Sequence, residues 1–458
     1  MTPTIRLGVT GLSRAGKTVF ITALVRALQS GGRLPFFAAE AESRILSAVL
    51  VPQPDDTIPR FDYEDHLAAL GADPPAWPES TRRISELRIV LTYRTASPVA
   101  AMLGPQRLNV DIVDYPGEWL IDLGLMDRSF EAWSAEALEL AAARPKAAAE
   151  FTAFASALPG GDPEQTAIAG AALYTRYLEA CRSGDEGVAT MGPGRFLTPG
   201  DYEGSPLVTF FPLGAETAAS PALRRLLRDR YNGYRDKLVT PFFKTHFARL
   251  DRQIVLVDAL GAINRGPAAT ADLERALADV LSAFRPGTNS WLDALLGRRH
   301  IDKLAFAATK ADHLPSSSHD RLESILALIT QRAAMRAAGA GADVHVMALA
   351  ALRSTREAEA KAGNERLPLI VGTPLDGETL GAKRFDGRTE TAVFPGDLPV
   401  DPAQALVGLT PDAEAAAVRF LRFRPTRLTG PGPGGDIPPA PHIRLDRALD
   451  FLLSDRLQ

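Results

Sequence analysis

Eight residues, GLSRAGKT (Gly11–Thr18), constrain this chain more than any others. They satisfy G-x-x-x-x-G-K-[ST] at every fixed position. IRLGVT (5–10) ahead of them reads as a buried strand. TVFITALVRALQS behind them carries apolar residues at helical spacing until Gly31 and Gly32 end the pattern. A glycine loop between a strand and a helix wraps closely round an anion and offers it backbone N–H groups and a helix N-terminus. The expected phosphate-contacting residues are Gly11, Ser13, Arg14, Ala15, Gly16, Lys17, Thr18 and Val19. Lys17 is placed to reach β- and γ-phosphates, and the Thr18 hydroxyl to bind Mg²⁺.

A chain of 458 residues has room for two or three domains, or for one domain with large insertions. Its 46% hydrophobic and 23% charged residues are those of a globular protein. A net charge of −4 and a pI near 6.0 give no electrostatic case for broad nucleic-acid binding. The basic, aromatic-containing runs RRLLRDRYNGYRDK and LRFRPTRL read as solvated faces of amphipathic segments. The lone cysteine, Cys181, fits a reducing compartment, and the seven histidines lack metal-ligand spacing. The N-terminus lacks the pattern of a signal peptide, and no window has about 18 consecutive apolar residues. A cytoplasmic location is expected, with peripheral attachment at the inner membrane only through a partner.

Strand-like and helix-like runs alternate, so the expected class is α/β, with a mostly parallel sheet flanked by helices. The first part of the core spans 1–118. Within it, 33–83 is rich in Pro and acidic residues and reads as irregular, with a short helix near 38–50. ISELRIVLTYR (84–94) and RLNVDIVD (107–114) read as an antiparallel pair because their connection is short. An Ala-rich helical insertion follows over 119–250. The core resumes over 251–364 with strands at 253–260, 303–309 and 343–349 and helices at 271–285 and 319–338. A β-rich insertion is expected over 365–430, then a linker and an amphipathic helix over 431–458.

Two further motifs carry chemistry. VDIVDYPGEW ends a strand in D-x-x-G, Asp114 to Gly117. Asp114 is the candidate to hold Mg²⁺ through its water shell, and Gly117 N–H to meet a γ-phosphate. Asp111, earlier in the strand, reads as a charge on a solvated sheet face. TKAD (Thr309–Asp312) follows the strand KLAFAAT. It resembles the [NT]-K-x-D base-recognition motif. A carboxylate at Asp312 accepts from N1–H and the 2-amino group of guanine, a donor pair adenine lacks. The Lys310 stem can lie over the base.

The order of the three motifs matches the GTPase class of P-loop proteins. On that resemblance the next strand ends at a base-contacting loop near Ala348–Ala351, giving Leu349 and Ala350 as candidates. It also implies a switch threonine that touches Mg²⁺. Thr81, just before the strand at 84, is preferred to Thr57. With the long helical insertion between D-x-x-G and TKAD, the chain resembles the YcjX-like family of bacterial P-loop proteins over nearly its whole length. IPRFDYED, WPESTRRISELRIVLTY and PHIRLDRALDFLLSDRL carry the resemblance too. It implies a GTPase-type core that binds GTP or GDP with Mg²⁺, an association with bacterial stress, and a membrane-protein partner.

Many small GTPases orient the attacking water with a Gln after D-x-x-G; here the residue is Glu118. A carboxylate near phosphate charge is a poor substitute, so Glu118 is read as a cap of the next helix in preference to a base. Slow hydrolysis follows. Guanylate-binding proteins carry an Arg at the loop position of Arg14, where it is a catalytic finger supplied in cis. Arg14 is therefore a catalytic candidate beside Lys17 and Glu118, ordered by dimerisation or a partner. The alternatives are an ATP-dependent enzyme and a non-hydrolysing nucleotide-bound scaffold.

Overall fold

Ile5, Leu7 and Val9 alternate along the first strand and are all buried on one face of a sheet. In the computed structural model the strands of this sheet are β1 (Thr4–Gly11), β2 (Ile45–Val51), β3 (Ser85–Tyr93), β4 (Gln106–Asp114), β5 (Arg252–Val257), β6 (Lys303–Ala308) and β7 (Asp343–Ala348). The structure describes residues 2–458 apart from 13, 32–33, 80–82, 98–101, 103, 159, 184–191, 247–248, 283–300, 363–364, 408–418 and 431–437. The strand order is β2-β3-β4-β1-β5-β6-β7. Strands β4, β1, β5, β6 and β7 run parallel, while β3 pairs antiparallel with both β4 and β2.

The apolar face of β1, β3 and β4 is covered by the helix Lys17–Ser30 and by the helix Leu445–Leu453. Phe20, Ile21, Leu24, Leu449, Leu452 and Leu453 fill the space between them and the sheet. On β6 the side chains alternate, and the helix His319–Gly339 packs against β6 and β7. The opposite face of β1, β3 and β4 carries polar residues, with Glu86 and Asp111 buried and Arg6 and Arg88 half-buried. Arg88 donates two hydrogen bonds to Asp111, at 2.5 and 2.7 Å, and Arg6 donates to Glu86 at 3.0 Å. Asp111 is therefore not the solvated surface charge its strand position implied; it is 2% exposed because Arg88, opposite it in register, neutralises it. Burial pushes the Glu86 carboxyl up, against the pull of Arg6.

The described residues between 34 and 79 hold more regular structure than their composition implies. The expected helix near 38–50 stops at Ala38–Ala41, because Ser43 turns left-handed at φ 53° and the apolar run ILSAVLV extends as β2. A second helix, Tyr63–Gly71, follows. The strand expected to reach residue 260 ends at Val257; Asp258 then caps the helix Ala259–Arg265.

Two compact units divide the chain. One comprises Met1–Tyr115, Leu250–Thr270 and Pro286–Gln458. Besides the large sheet it holds a small antiparallel one, formed by β8 (Arg356–Ala362), β9 (Glu365–Gly372) and, beyond the two-stranded hairpin of β10 (Thr379–Leu380) and β11 (Lys383–Arg384), β12 (Thr391–Val393). The other unit comprises Pro116–Arg249 and Ala271–Arg285, and its described elements are helical. Ser129 and Ser220 cap two of its helices through Ala132 N and Leu223 N. Its core is aromatic: Trp133 stacks on Tyr231 at 5.1 Å and meets Phe210 edge-on at 5.3 Å. Two arginines of its basic run pair with neighbours, Arg228 with Glu131 and Arg230 with Glu164.

Candidate functional site

Strand order reverses at β1, whose neighbours are β4 and β5, so its carboxyl end opens the crevice where ligands bind in sheets of this kind. GLSRAGKT begins there. Gly11 has φ 153°, and a Cβ on it would lie 2.5 Å from Leu256 O of β5, so only glycine lets the loop leave the strand this close to its neighbour. Gly16, at φ 89°, precedes the helix as its N-cap. Between them Ala15 N donates to Leu12 O at 3.1 Å, and Phe20 N starts the helical ladder on Gly16 O at 2.9 Å. Lys17 is buried and its Nζ donates to Gly11 O at 3.0 Å, bending across the loop. Thr18 is buried, its Oγ1 3.4 Å from Glu79 O. Val19 is half-buried against Leu70, Leu352, Leu428 and Ala440. Arg14 has φ 64°, a conformation uncommon outside glycine, and its side chain is exposed, with no hydrogen bond or ion pair among the described residues. Ser13 and Thr81 lie outside the described residues. Thr57, the rival switch threonine, turns onto Asp55, donating from N at 3.0 Å and from Oγ1 at 2.5 Å.

Asp114 ends β4, pairs in register with Val9 and is 1% exposed. Gly117 and Glu118 follow after Tyr115 and Pro116 and open the five-residue helix Gly117–Ile121, both buried. Within the helical unit this segment is held tightly. A Cβ on Gly194 would lie 1.8 Å from Glu118 O, the Arg195 guanidinium sits 4.2 Å above the Trp119 ring, and Asp122 accepts from Gly194 N and the Tyr234 hydroxyl at 2.6 Å each. Burial raises the Asp122 carboxyl's pKa, against Arg195 and Tyr234. The glycines of GPGRF were the only sequence signal of this close approach.

TKAD emerges two strands away on the same sheet edge. Thr309 N donates to Val257 O at 2.9 Å, Lys310 takes φ 63°, and Ala311 N donates to Leu349 O at 3.1 Å. Asp312 is 3% exposed, and its Oδ2 accepts from Ser354 N at 2.7 Å and Ser354 Oγ at 2.6 Å, while Thr355 Oγ1 donates to the Asp312 carbonyl. Leu349 N donates to Ala308 O at 2.8 Å; Ala350 exchanges both backbone hydrogen bonds with Ile443. Ser354, 42 residues beyond Asp312, is the side chain that sequence reasoning missed, since no motif marks it. Asp258 was missed as well: it follows β5, caps Gly261 N at 2.9 Å and forms an ion pair with Lys310. Burial disfavours the Asp258 charge, but Lys310 more than offsets this and holds the pKa below the usual carboxylate range.

Four strand ends thus share one edge: Gly11 on β1, Asp114 on β4, Asp258 after β5 and the TKAD turn after β6. The profile of the YcjX-like family, DUF463, matches residues 5–457. The chain belongs to this family. It is 37% identical over 472 residues to the protein named Ras-like GTPase YcjX of Escherichia coli K12, covering 99% of this chain and 96% of that one. To the protein of the same name from Shewanella oneidensis it is 33% identical over 479 residues, covering 99% and 95%. The seven-stranded, mostly parallel sheet flanked by helices is the P-loop GTPase fold that this family membership implies. No described helix of this YcjX-like chain is long and apolar enough to cross a membrane.

Proposed function

We propose that this chain is a Mg²⁺-dependent GTP-binding protein that hydrolyses GTP slowly and acts as a nucleotide-controlled switch. The observation that carries the reading is the Asp312 carboxylate. It is buried, fixed from one side by Ser354, and follows the strand β6 on the edge where the phosphate loop also opens. A carboxylate fixed in this way suits the two donors of the guanine edge. The names of the relatives in Escherichia coli and Shewanella oneidensis favour the same nucleotide.

In this reading the amides of Ser13 to Val19 cradle the phosphates, and Lys17 exchanges Gly11 O for phosphate oxygens. Thr18 and Asp114 are hard oxygen donors, the partial set Mg²⁺ takes when phosphates and waters complete its shell. Among the described residues no cluster of three or more His, Cys, Asp or Glu offers an all-protein cage, which suits a metal that arrives with its nucleotide. Gly117 N–H meets the γ-phosphate, and Thr81 is the switch residue. Glu118 lies in the first turn of its helix, where a carboxylate is favoured, and supplies no amide to orient water. Arg14, exposed and mounted on a strained backbone, supplies the transition-state charge when a second copy or a partner orders it. The stress role and the membrane-protein partner are carried over from the family resemblance.

Competition of GTP against ATP, with Asp312→Ala as control, tests the base; retained guanine preference in that variant overturns it. Phosphate release from excess pure protein separates a slow enzyme from a non-hydrolysing scaffold. Arg14→Ala is expected to slow release about a hundredfold at unchanged GTP affinity; unchanged turnover removes the finger.

A further inference from the structure

The chain holds a second D-x-x-G, Asp258-Ala259-Leu260-Gly261, and it too begins where a parallel strand beside β1 ends. β1 is thus flanked by two strands that each lead into an aspartate: Asp114 on β4 and Asp258 after β5. The two are employed differently. Asp258 Oδ1 accepts from Gly261 N at 2.9 Å, and Oδ2 is ion-paired with the Lys310 ammonium. Both oxygens are engaged, one by the helix start and the other by the lysine. Its carboxylate lies so close to Gly261 that a Cβ there would be 2.6 Å from Oδ2. Glycine at that position is what lets the carboxylate sit over the helix start and point across to β6.

Lys310 is the residue this carboxylate governs. Register places Val257 beside Ala308, so the residues following the two strands leave side by side, and Thr309 N donates to Val257 O. Lys310 then turns left-handed, a conformation a long side chain keeps only when its surroundings impose it. Four rotatable bonds would leave a lysine free to sample solvent. Asp258 fixes the far end of those bonds while the backbone turn fixes the near end. The stem is thereby held at both ends, two residues before Asp312.

We propose that Asp258 is a positioning residue for nucleotide recognition: by tethering the Lys310 ammonium it holds the lysine stem as the platform on which the guanine base lies, and so sets how fast nucleotide leaves. The inference rests on the guanine-binding reading above. Because the platform meets the base and not the phosphates, it acts equally on GDP and GTP.

The test measures release of a fluorescent N-methylanthraniloyl derivative of GDP and of a non-hydrolysable GTP analogue from the full chain with Mg²⁺. Asp258→Asn keeps an oxygen for Gly261 N and removes the charge that holds Lys310. It is expected to raise both release rates by the same factor, about tenfold. Lys310→Ala, which leaves the helix cap untouched and removes the platform itself, is expected to raise them at least as much, and the double variant to be no worse than Lys310→Ala alone. Losses that multiply in the double variant overturn the proposal. So does wild-type release from Asp258→Asn, or a loss confined to the GTP analogue, which would assign Asp258 to the phosphates. A wild-type chain that binds ATP in place of GTP breaks the guanine reading separately, since the cycle can be run on whichever nucleotide binds.

Discussion

The proposed phosphate side and the proposed base side of the site are built by different means. On the phosphate side the loop is shaped by backbone: two glycines with positive φ, short-range carbonyl contacts and a lysine that reaches six residues back. On the base side the groups are fixed by side chains that are distant in sequence. Ser354 holds Asp312 across 42 residues, and Asp258 holds Lys310 across 52. The first kind of construction is local and depends on the residue type at its glycines. The second spreads its tolerance over pairs, each of which can be weakened without losing the loop.

Mutation separates the two. Lys17→Ala should weaken GTP, GDP and ATP binding alike, by about a hundredfold, because it removes a charge from phosphate and none from the base; titration calorimetry reads this, and a loss confined to guanine nucleotides would contradict it. Next in size is Gly11→Ala, which sets a Cβ against Leu256 O and should cost about 2 kcal/mol of stability by thermal or urea unfolding. Gly16→Ala meets no atom within 4 Å and bears only the strain of φ 89°, so about 1 kcal/mol is expected. Equal costs would mean that the Leu256 contact is relieved cheaply.

Ser354→Ala leaves its N–H on Asp312 and removes the hydroxyl, so guanine-over-adenine preference should fall about fivefold with phosphate affinity intact. The smallest effect is in pH. His313, next to Asp312 and edge-on to Phe423 at 5.3 Å, is held neutral by burial, its pKa below the ordinary 6.5. The unfolded chain takes up that proton first, so stability is full above about pH 6.5 and declines as pH falls toward the folded-state value. His319, lowered in the same way, adds to the decline. Melting midpoints at pH 7.5 and 5.5 should differ less in His313→Gln than in the wild type.

The same contrast explains what the sequence made legible. A phosphate loop is a local code, so strand, loop and helix were placed from eight residues and their flanks. Asp114 and TKAD were legible because each sits where an apolar run stops. Asp258 was read as the interior of a strand extending to residue 260, since VDAL continues the apolar pattern; only the cap on Gly261 N ends the strand. Ser354 has no local signature at all. Asp111 was misplaced on solvent because its strand-mate Arg88 is chosen by antiparallel register, which composition does not reveal. ILSAVLV reads as helix in sequence because a short apolar run has no decisive period, and Ser43 gives no warning of its left-handed turn.

The helix that carries Lys17 packs into a core whose remaining residues are met much later in the chain. Leu445, Leu449, Leu452 and Leu453 share one buried cluster with Phe20, Ile21 and Leu24, and Arg26 donates to Pro438 O across 412 residues. On a ribosome adding about 5–20 residues per second, those leucines arrive roughly 20–80 s after the helix. The order of synthesis thus sets when this core can close.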